Sequence, residues 1–466
     1  MTGGSRRAVA VLCGIQFVDV LGVTSGITAL PAMLAGVSAP AEATPVLATA
    51  YAMLFGGLLV VGARLGDRYG HRRVLLAGCV AFALVSLVGA SAREIVQLVA
   101  ARGLQGAAAA ISVPSALRLL LDAAPEPDER RGALAAWSAS GAAAGALGLL
   151  VGGVLTGILG WRAVFWVNLP VGLVLVVAVL VVVAPAARAP ERVRLDLPGA
   201  ALLTGAVMTL IVGASLLESP AGRTTGGLLV AAGLAAGAGF VARQRRARAP
   251  LVPRAALASA NLRTGTAVSF VNTAATSSAG VLATLALQRD LGVSAVGAGF
   301  ALVPFSLGVV AGSALTRPLG ARLSVRWLAA AGLGGIAAGN LLLVATYGGV
   351  AGIVAGVAVA GIGLGTASVA ATAIGTDVPE ELGGTASGVL NTGAQLGTAL
   401  GVAGLLLLAA TVGGSRAGTA TAWAVAAGLA GGTALVLVPR RAGTGRGTAD
   451  RDEDAADRSP RGADNR

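Results

Sequence analysis

Fourteen apolar runs, each long enough to cross a bilayer, constrain what this chain can fold into. They lie at about 8–35, 45–63, 74–92, 94–121, 132–159, 163–184, 198–217, 224–242, 264–287, 294–316, 327–346, 350–375, 384–412 and 420–438. A helix needs about 20 apolar residues to span the hydrocarbon layer. Inside that layer a helix satisfies every backbone amide within its own segment. The runs therefore predict an all-α polytopic membrane protein. Composition agrees: 12% of the 466 residues are charged, against roughly 25% in a soluble domain. The first run is too long for a signal-peptide core and contains Asp19, so it is expected to be retained as a span.

Charge sets the sidedness. Residues 62–73 read G-A-R-L-G-D-R-Y-G-H-R-R and hold Arg64, Arg68, Arg72, Arg73, Asp67 and the only histidine, His71. One charge in hydrocarbon costs at least about 2.5–3.5 kcal/mol, so this stretch is expected to be a tight loop on the cytoplasmic side. Connections on the same side carry Arg6, Arg7, Arg130, Arg131, Arg188, Arg192, Arg194, six arginines between 243 and 263, and Arg317, Arg322 and Arg326. The other side carries only Arg93, Arg162, Arg223, Arg289 and Arg416. This bias fits an even number of spans with both termini cytoplasmic, in the plasma membrane. The weak member is 376–383, with Asp377, Glu380, Glu381 and no arginine. Residues 439–466 have almost no large apolar side chains and read as a disordered cytoplasmic tail.

The net charge of +13 is accounted for by this topology. A nucleic-acid surface would need aromatics and basic residues on one folded face, and none is expected. There is no nucleotide-binding G-x-x-x-x-G-K-[ST] stretch, and one histidine with two distant cysteines, Cys13 and Cys79, offers no metal set or disulfide. Neither a cofactor, a metal nor an enzyme activity is expected.

The chain also repeats itself weakly. Residues 316–327, T-R-P-L-G-A-R-L-S-V-R-W, align with 62–73 at an offset of 254, pairing Leu319 with Leu65, Gly320 with Gly66, Arg322 with Arg68 and Arg326 with Arg72, while Ala321 stands opposite Asp67. The expected organisation is a six-helix half at 1–184, a linker with two extra spans at 185–263, a second six-helix half at 264–438 and the tail at 439–466. Two parallel halves with a binding site at their interface form a transporter architecture.

Polar residues inside spans are then the site candidates. Asp19 is the one carboxylate well inside a run. It lies roughly 17 Å along the first helix at about 1.5 Å per residue. An acid at that depth is sensitive to its surroundings, as a proton carrier must be; a structural hydrogen-bonded Asp is the alternative. Arg102 lies at similar depth in the fourth run and is a candidate partner, with Gln105 on its face. The second half offers Asn272, Thr273, Thr276, Asn340, Asn391, Thr392 and Gln395. Substrate contact and interhelical hydrogen bonding both remain open for these. At the 254 offset Asp19 corresponds to Thr273.

The order of motifs resembles the major facilitator superfamily, and within it the fourteen-span drug:proton antiporter group. Residues 62–73 resemble the family's G-x-L-a-D-r-x-G-r-[RK] signature, and Leu98-x-x-x-Arg102-Gly103-Leu104-Gln105-Gly106 its span-4 pattern. Gly141, Gly145, Gly148, Gly152 and Gly153 resemble the exporters' span-5 glycine signature, with Ala146 and Leu149 where the family has prolines. Trp161-Arg162-x-x-Phe165-x-x-Asn168-x-Pro170-x-Gly172, Asp196-x-Pro198-Gly199 and Gly384-x-Ala386-Ser387-Gly388-x-x-Asn391-x-x-x-Gln395-x-Gly397 resemble further motifs of the group. In span 1, Thr24, Ala29, Leu30 and Pro31 match, but Gly22 fills the usual Asp slot and Ile27 the Asn slot, with Asp19 one turn earlier.

The resemblance implies two six-helix halves plus two inserted helices, fourteen spans in all. It implies a monomer that exports small hydrophobic or amphipathic compounds, such as drugs or antibiotics, by proton-driven alternating access. Asp19 and Arg102 would couple protons. Thr24, Gln105, Asn272, Thr273, Asn391 and Gln395 would line the substrate pathway. Gly62, Asp67, Arg68, Gly70, Arg72 and Arg73 would form a cytoplasmic gate. The five span-5 glycines would form a helix-packing hinge. A solute importer of the same fold, or a non-transporting membrane sensor, are the alternatives.

Overall fold

The computed structural model describes residues 3–184, 196–217, 220–247, 250, 252, 254–379, 382–412 and 415–438. The linker arginines Arg188, Arg192 and Arg194, the acids Glu380 and Glu381, and the tail 439–466 lie outside the described residues. Sixteen helices follow in order among them: α1 (Gly3–Gly36), α2 (Thr44–Tyr69), α3 (His71–Ala90), α4 (Ile95–Ala123), α5 (Pro127–Leu159), α6 (Ala163–Trp166), α7 (Asn168–Val182), α8 (Leu197–Leu217), α9 (Arg223–Arg246), α10 (Arg254–Ala258), α11 (Ala260–Leu285), α12 (Ala295–Gly320), α13 (Val325–Ala345), α14 (Val350–Gly375), α15 (Gly383–Thr411) and α16 (Ser415–Leu437). A π-helical turn, Ala286–Asp290, extends α11.

Among the described residues twelve helices are long and apolar enough to cross a membrane, or thirteen when α2, bent by 50° between Leu59 and Val61, counts as one span. The expected run at 198–217 corresponds to α8. The protein is thus an all-helical, multi-pass membrane protein.

Local chemistry explains several boundaries. Serine hydroxyls at Ser259, Ser294 and Ser324 accept bonds from the amides of Leu262, Gly297 and Trp327 and so cap α11, α12 and α13. The expected loop at 62–73 is mostly helix. α2 continues through Tyr69, α3 begins at His71, and Gly70 alone makes the turn with φ +92°. A φ of that sign favours glycine. The charged residues ride helix ends, where long side chains reach water without ending the helix.

The two bundles pack by the same plan. α1 lies along α5 as α11 lies along α15, and α2 and α3 pack on α4 as α12 and α13 pack on α14. The offset is not constant, however. In the α2–α4 layer Gly66 corresponds to Gly320 and Tyr51 to Phe305, the latter two each set against a facing glycine, Gly106 and Gly361. At the α1–α5 crossing Thr24 meets Gly148 and Ser25 meets Gly152; at the α11–α15 crossing Thr273 meets Gly397 and Ala274 meets Gly401. Each of these pairs is 249 residues apart. Thr273 is therefore the counterpart of Thr24, not of Asp19, and the five surplus residues fall between α11 and α12, where the π turn lies.

The bundles meet along two seams, α5 against α12 and α2 against α15. Helix α8 packs on both α2 and α15, and so covers the second seam. Asp196 anchors it. Its carboxylate accepts from the Gly199 amide (3.1 Å) at the start of α8 and from Arg243 Nε (2.7 Å) on α9.

The face bearing Gly70 and the clustered arginines is called here the basic face, and the opposite one the far face. At the far face both bundles share one apolar core, including Leu30, Met33, Leu34 and Leu47 from one and Val281, Leu282 and Leu302 from the other. Toward the basic face their cores are separate: Leu12, Leu75 and Leu120 in one, Leu262, Ala386 and Leu390 in the other. The structure is closed at the far face.

Candidate functional site

A cavity of about 330 Å³ lies between the bundles, walled by both. Its lining is mostly apolar, with Leu30, Met33, Leu47, Phe55, Leu302 and Phe305 contributing large side chains. Asp19 and Arg102 are its charged residues, 9% and 6% exposed. The second bundle supplies hydroxyl and amide groups: Thr273, Thr276, Ser277, Ser306, Thr398 and Gln395.

The charged pair is organised by a third residue. Tyr51 on α2 donates its hydroxyl to Asp19 Oδ1. The Tyr51 ring also lies under the Arg102 guanidinium, 5.4 Å from its centroid. Arg102 Nη1 donates to the Gly22 carbonyl (3.2 Å) and to Gln105 Oε1 (3.4 Å). Among the described residues Asp19 and Arg102 form no direct ion pair; Tyr51 connects them. Both anion and cation thus have polar partners, as charges out of water require.

Behind Arg102 runs a buried chain of amides and hydroxyls. Gln105 Nε2 donates to Ser86 Oγ on α3 (2.8 Å), and Asn168 Nδ2 on α7 reaches the same oxygen (3.4 Å). Ser86 in turn donates to the Phe82 carbonyl (2.7 Å). Gln105 is 1% exposed and, expected on the substrate pathway, sits behind the cavity wall instead. Tyr51, Ser86 and Asn168 are not among the candidates the sequence offers; only Asn168 carries a signal there, as part of the Trp161–Gly172 motif.

The remaining pathway candidates divide. Thr24, Thr273 and Gln395 line the cavity. Thr24 donates to Val20 O (2.9 Å) and Thr273 to Ala394 O (2.6 Å). Asn272 does not line it: 1% exposed, it donates to Ser368 Oγ on α14 (2.8 Å). Asn391 is exposed and likewise absent from the lining. It precedes Gln395 by four residues and so lies one helical turn, about 6 Å, nearer the start of α15.

The span-5 glycines also divide. Gly141 and Gly145 face the cavity, and a Cβ on Gly145 would find nothing nearer than Val20, at 4.0 Å. Gly148 and Gly152 let α5 press against Thr24 and Ser25, and Gly153 lets it press against Ala295 and Gly299 of α12.

At the basic face the polar partners of the 62–73 segment lie in its own bundle, while Leu65 packs in a small apolar cluster with Ala200 of α8 and Phe240 of α9. Gly62 abuts Ala110 on α4, Asp67 pairs with His71 (3.2 Å), and Arg68 lies over Tyr69 (5.3 Å). Arg72 donates to Val183 O (2.7 Å) and Leu180 O (2.9 Å), capping the end of α7, while Arg73 is exposed. At the far face the bundles are bonded to each other: Gln288, in the π turn, donates to the Thr28 carbonyl on α1 (2.9 Å). Asp290 of the same turn accepts from Tyr347 (2.5 Å) in the α13–α14 connection. Burial, then that bond, push Tyr347 up to about 12, so its hydroxyl remains a donor throughout the physiological range.

A central cavity between two equivalent helix bundles, closed at one face, is the construction of a membrane transporter. The chain belongs to the major facilitator superfamily, whose model matches residues 12–242 and 265–462. It is 35% identical over 415 residues to the cephamycin export protein of Amycolatopsis lactamdurans, covering 87% of this chain and 85% of that protein. It is 35% identical over 421 residues to a probable actinorhodin transporter of Streptomyces coelicolor, covering 85% and 71%. A puromycin resistance protein of Streptomyces alboniger is 33% identical over 406 residues, covering 84% and 79%. Among solved structures, a peptide transporter in complex with sulfate superposes with a TM-score of 0.70 at 14% identity, covering 92% and 93% of the two chains. The human organic anion transporter MFSD10 superposes at 0.62 and 16%, covering 93% and 99%. These two establish the fold.

Proposed function

We propose that this chain is a fourteen-span, proton-coupled antiporter of the plasma membrane that exports small hydrophobic or amphipathic compounds, antibiotics among them, by alternating access. The basic face is cytoplasmic by the positive-inside rule, so the described state opens inward. α8 and α9 are the two inserted spans. Export rather than import is favoured by the relatives, whose names speak of export and resistance.

The observation that carries the reading is Asp19, the one carboxylate in the cavity lining, tied through Tyr51 to Arg102. In the inward-facing state Asp19 gives up its proton to the cytoplasm and substrate enters the apolar cavity. Rocking of the bundles opens the far face, where substrate leaves and Asp19 takes a proton. Neutralising Asp19 leaves Arg102 as the uncompensated charge, and the Tyr51 bond changes with it. That difference biases the two states, as coupling requires.

Vesicle transport tests this directly. With purified protein in proteoliposomes, an imposed pH gradient should drive puromycin, lincomycin or cephamycin against the proton flow. Asp19→Asn should insert normally, bind the compound and lose the pH drive. Symport, no transport of any panel member, or undiminished drive in Asp19→Asn would each overturn the assignment.

A further inference from the structure

Asp19 borders a second cavity. On the side away from the substrate cavity, a chamber of about 30 Å³ lies inside the first bundle between α1, α3, α4 and α7. Its polar groups are the Asp19 carboxyl, Cys79 and Ser112, and its other walls are apolar, Phe82 and Leu175 among them. Asp19 is the one residue that lines both cavities. A buried water needs roughly 10–15 Å³ of such space and 2–4 polar partners, and the chamber meets both conditions.

We propose that this chamber is a single-water site that hydrates Asp19 from behind, leaving the front of the carboxyl to Tyr51 and the substrate cavity. The chemistry of the partners fits. A carboxylate offers about four acceptor positions, and Tyr51 fills one at Oδ1. Ser112 spends its proton on the Ala108 carbonyl (3.1 Å), so its oxygen still accepts. A water can then donate to the carboxylate and to Ser112 Oγ, while accepting from the Cys79 thiol. When Asp19 carries a proton, the same water accepts from the carboxyl O–H instead. Both forms of Asp19 are hydrogen-bonded, even when substrate has displaced solvent from the main cavity. The titratable and charged groups facing Asp19 are Tyr51 from α2, Cys79 from α3 and Arg102 from α4. α5 presents glycines and Leu149, α7 presents Gly172 and Leu175, and the polar groups of the opposite wall are hydroxyls and amides.

The inference deepens the coupling role given to Asp19 above and is tested without any substrate. In the full-length reconstituted protein, the infrared carbonyl band of protonated Asp19, assigned by its loss in Asp19→Asn, is titrated against pH. Ser112→Val/Cys79→Val fills the chamber and removes both polar partners. Its midpoint should move from wild type by at least about one pH unit, a tenfold change in the protonation constant. Ser112→Ala removes one partner without added bulk and should move the midpoint less, in the same direction, covering the case in which the double variant fails to insert. A midpoint unchanged in both overturns the water site, and if Asp19→Asn is still uncoupled the antiport reading stands. Shifted midpoints together with intact pH drive in Asp19→Asn uphold the water site and overturn the coupling role.

Discussion

The structure places Asp19 in the cavity lining and gives it a partner, Tyr51, that the sequence does not mark. An acid or a guanidinium inside an apolar run is rare enough to be read directly, because each costs kcal/mol in hydrocarbon. Tyr51 and Ser86 carry no such mark. A tyrosine or serine is ordinary in a span, and only the crossing of α2 and α3 with α4 brings them to Asp19 and Gln105. Ser86 is the sharper test. It holds Gln105 and Asn168, and Gln105 holds Arg102 in turn. Ser86→Ala removes the shared acceptor of two buried amides and should lower stability by about 1–3 kcal/mol. It should also slow pH-driven transport by roughly tenfold, about 1.4 kcal/mol in barrier. Thermal unfolding in detergent and initial rates in vesicles check the two halves of the prediction; a melting shift without a rate change would leave Ser86 purely structural.

Among the elements, run length predicts the helices well, since the hydrocarbon thickness dictates it. It predicts the turns badly. Hydropathy drops near residue 62, yet α2 persists to Tyr69, because arginines reach past the membrane edge from a helix that has not ended. The glycines of α5 show the same limit: their spacing is visible, but not which of them touch a neighbour. The structure separates two kinds. Gly152→Val would drive a branched side chain into Ser25 and Thr28 on α1, with an overpacking cost of about 1–3 kcal/mol. Gly145→Val extends into the cavity and should leave thermal unfolding near wild type. It should narrow the range of compounds transported, with the largest lost first. A resistance panel ordered by molecular volume, read beside melting curves, distinguishes these outcomes.

For the whole molecule, the repeat near 316–327 pairs two stretches at one offset, but a single offset cannot describe the two bundles. Helices in contact keep their own register, so a surplus in one connection moves the equivalences of the helices that follow until a later connection takes it back, as the 249-residue spacing of Gly148 and Gly397 shows. The π turn that absorbs this surplus also supplies Gln288, the side chain bonded across the far face. Gln288→Ala should loosen that closure, shifting the balance of states by about 2- to 10-fold for a bond worth ~0.5–1.5 kcal/mol. A cysteine placed at Leu30 reports it: alkylation by a membrane-impermeant maleimide from the far side should rise by that factor, and an unchanged rate would remove Gln288 from the closure.

In a true dimer with two-fold symmetry every contact between partners occurs twice. The Gln288 contact occurs once. The turn that carries it falls where the second bundle has five surplus residues, and among the described residues no twin bond joins that end of α1 to the second bundle. Among the described residues this hydrogen bond therefore has no twin, while the apolar core at the same face is built by both bundles. A single inherited substitution at 288 would retune how long the protein faces inward while leaving the compounds it recognises unchanged.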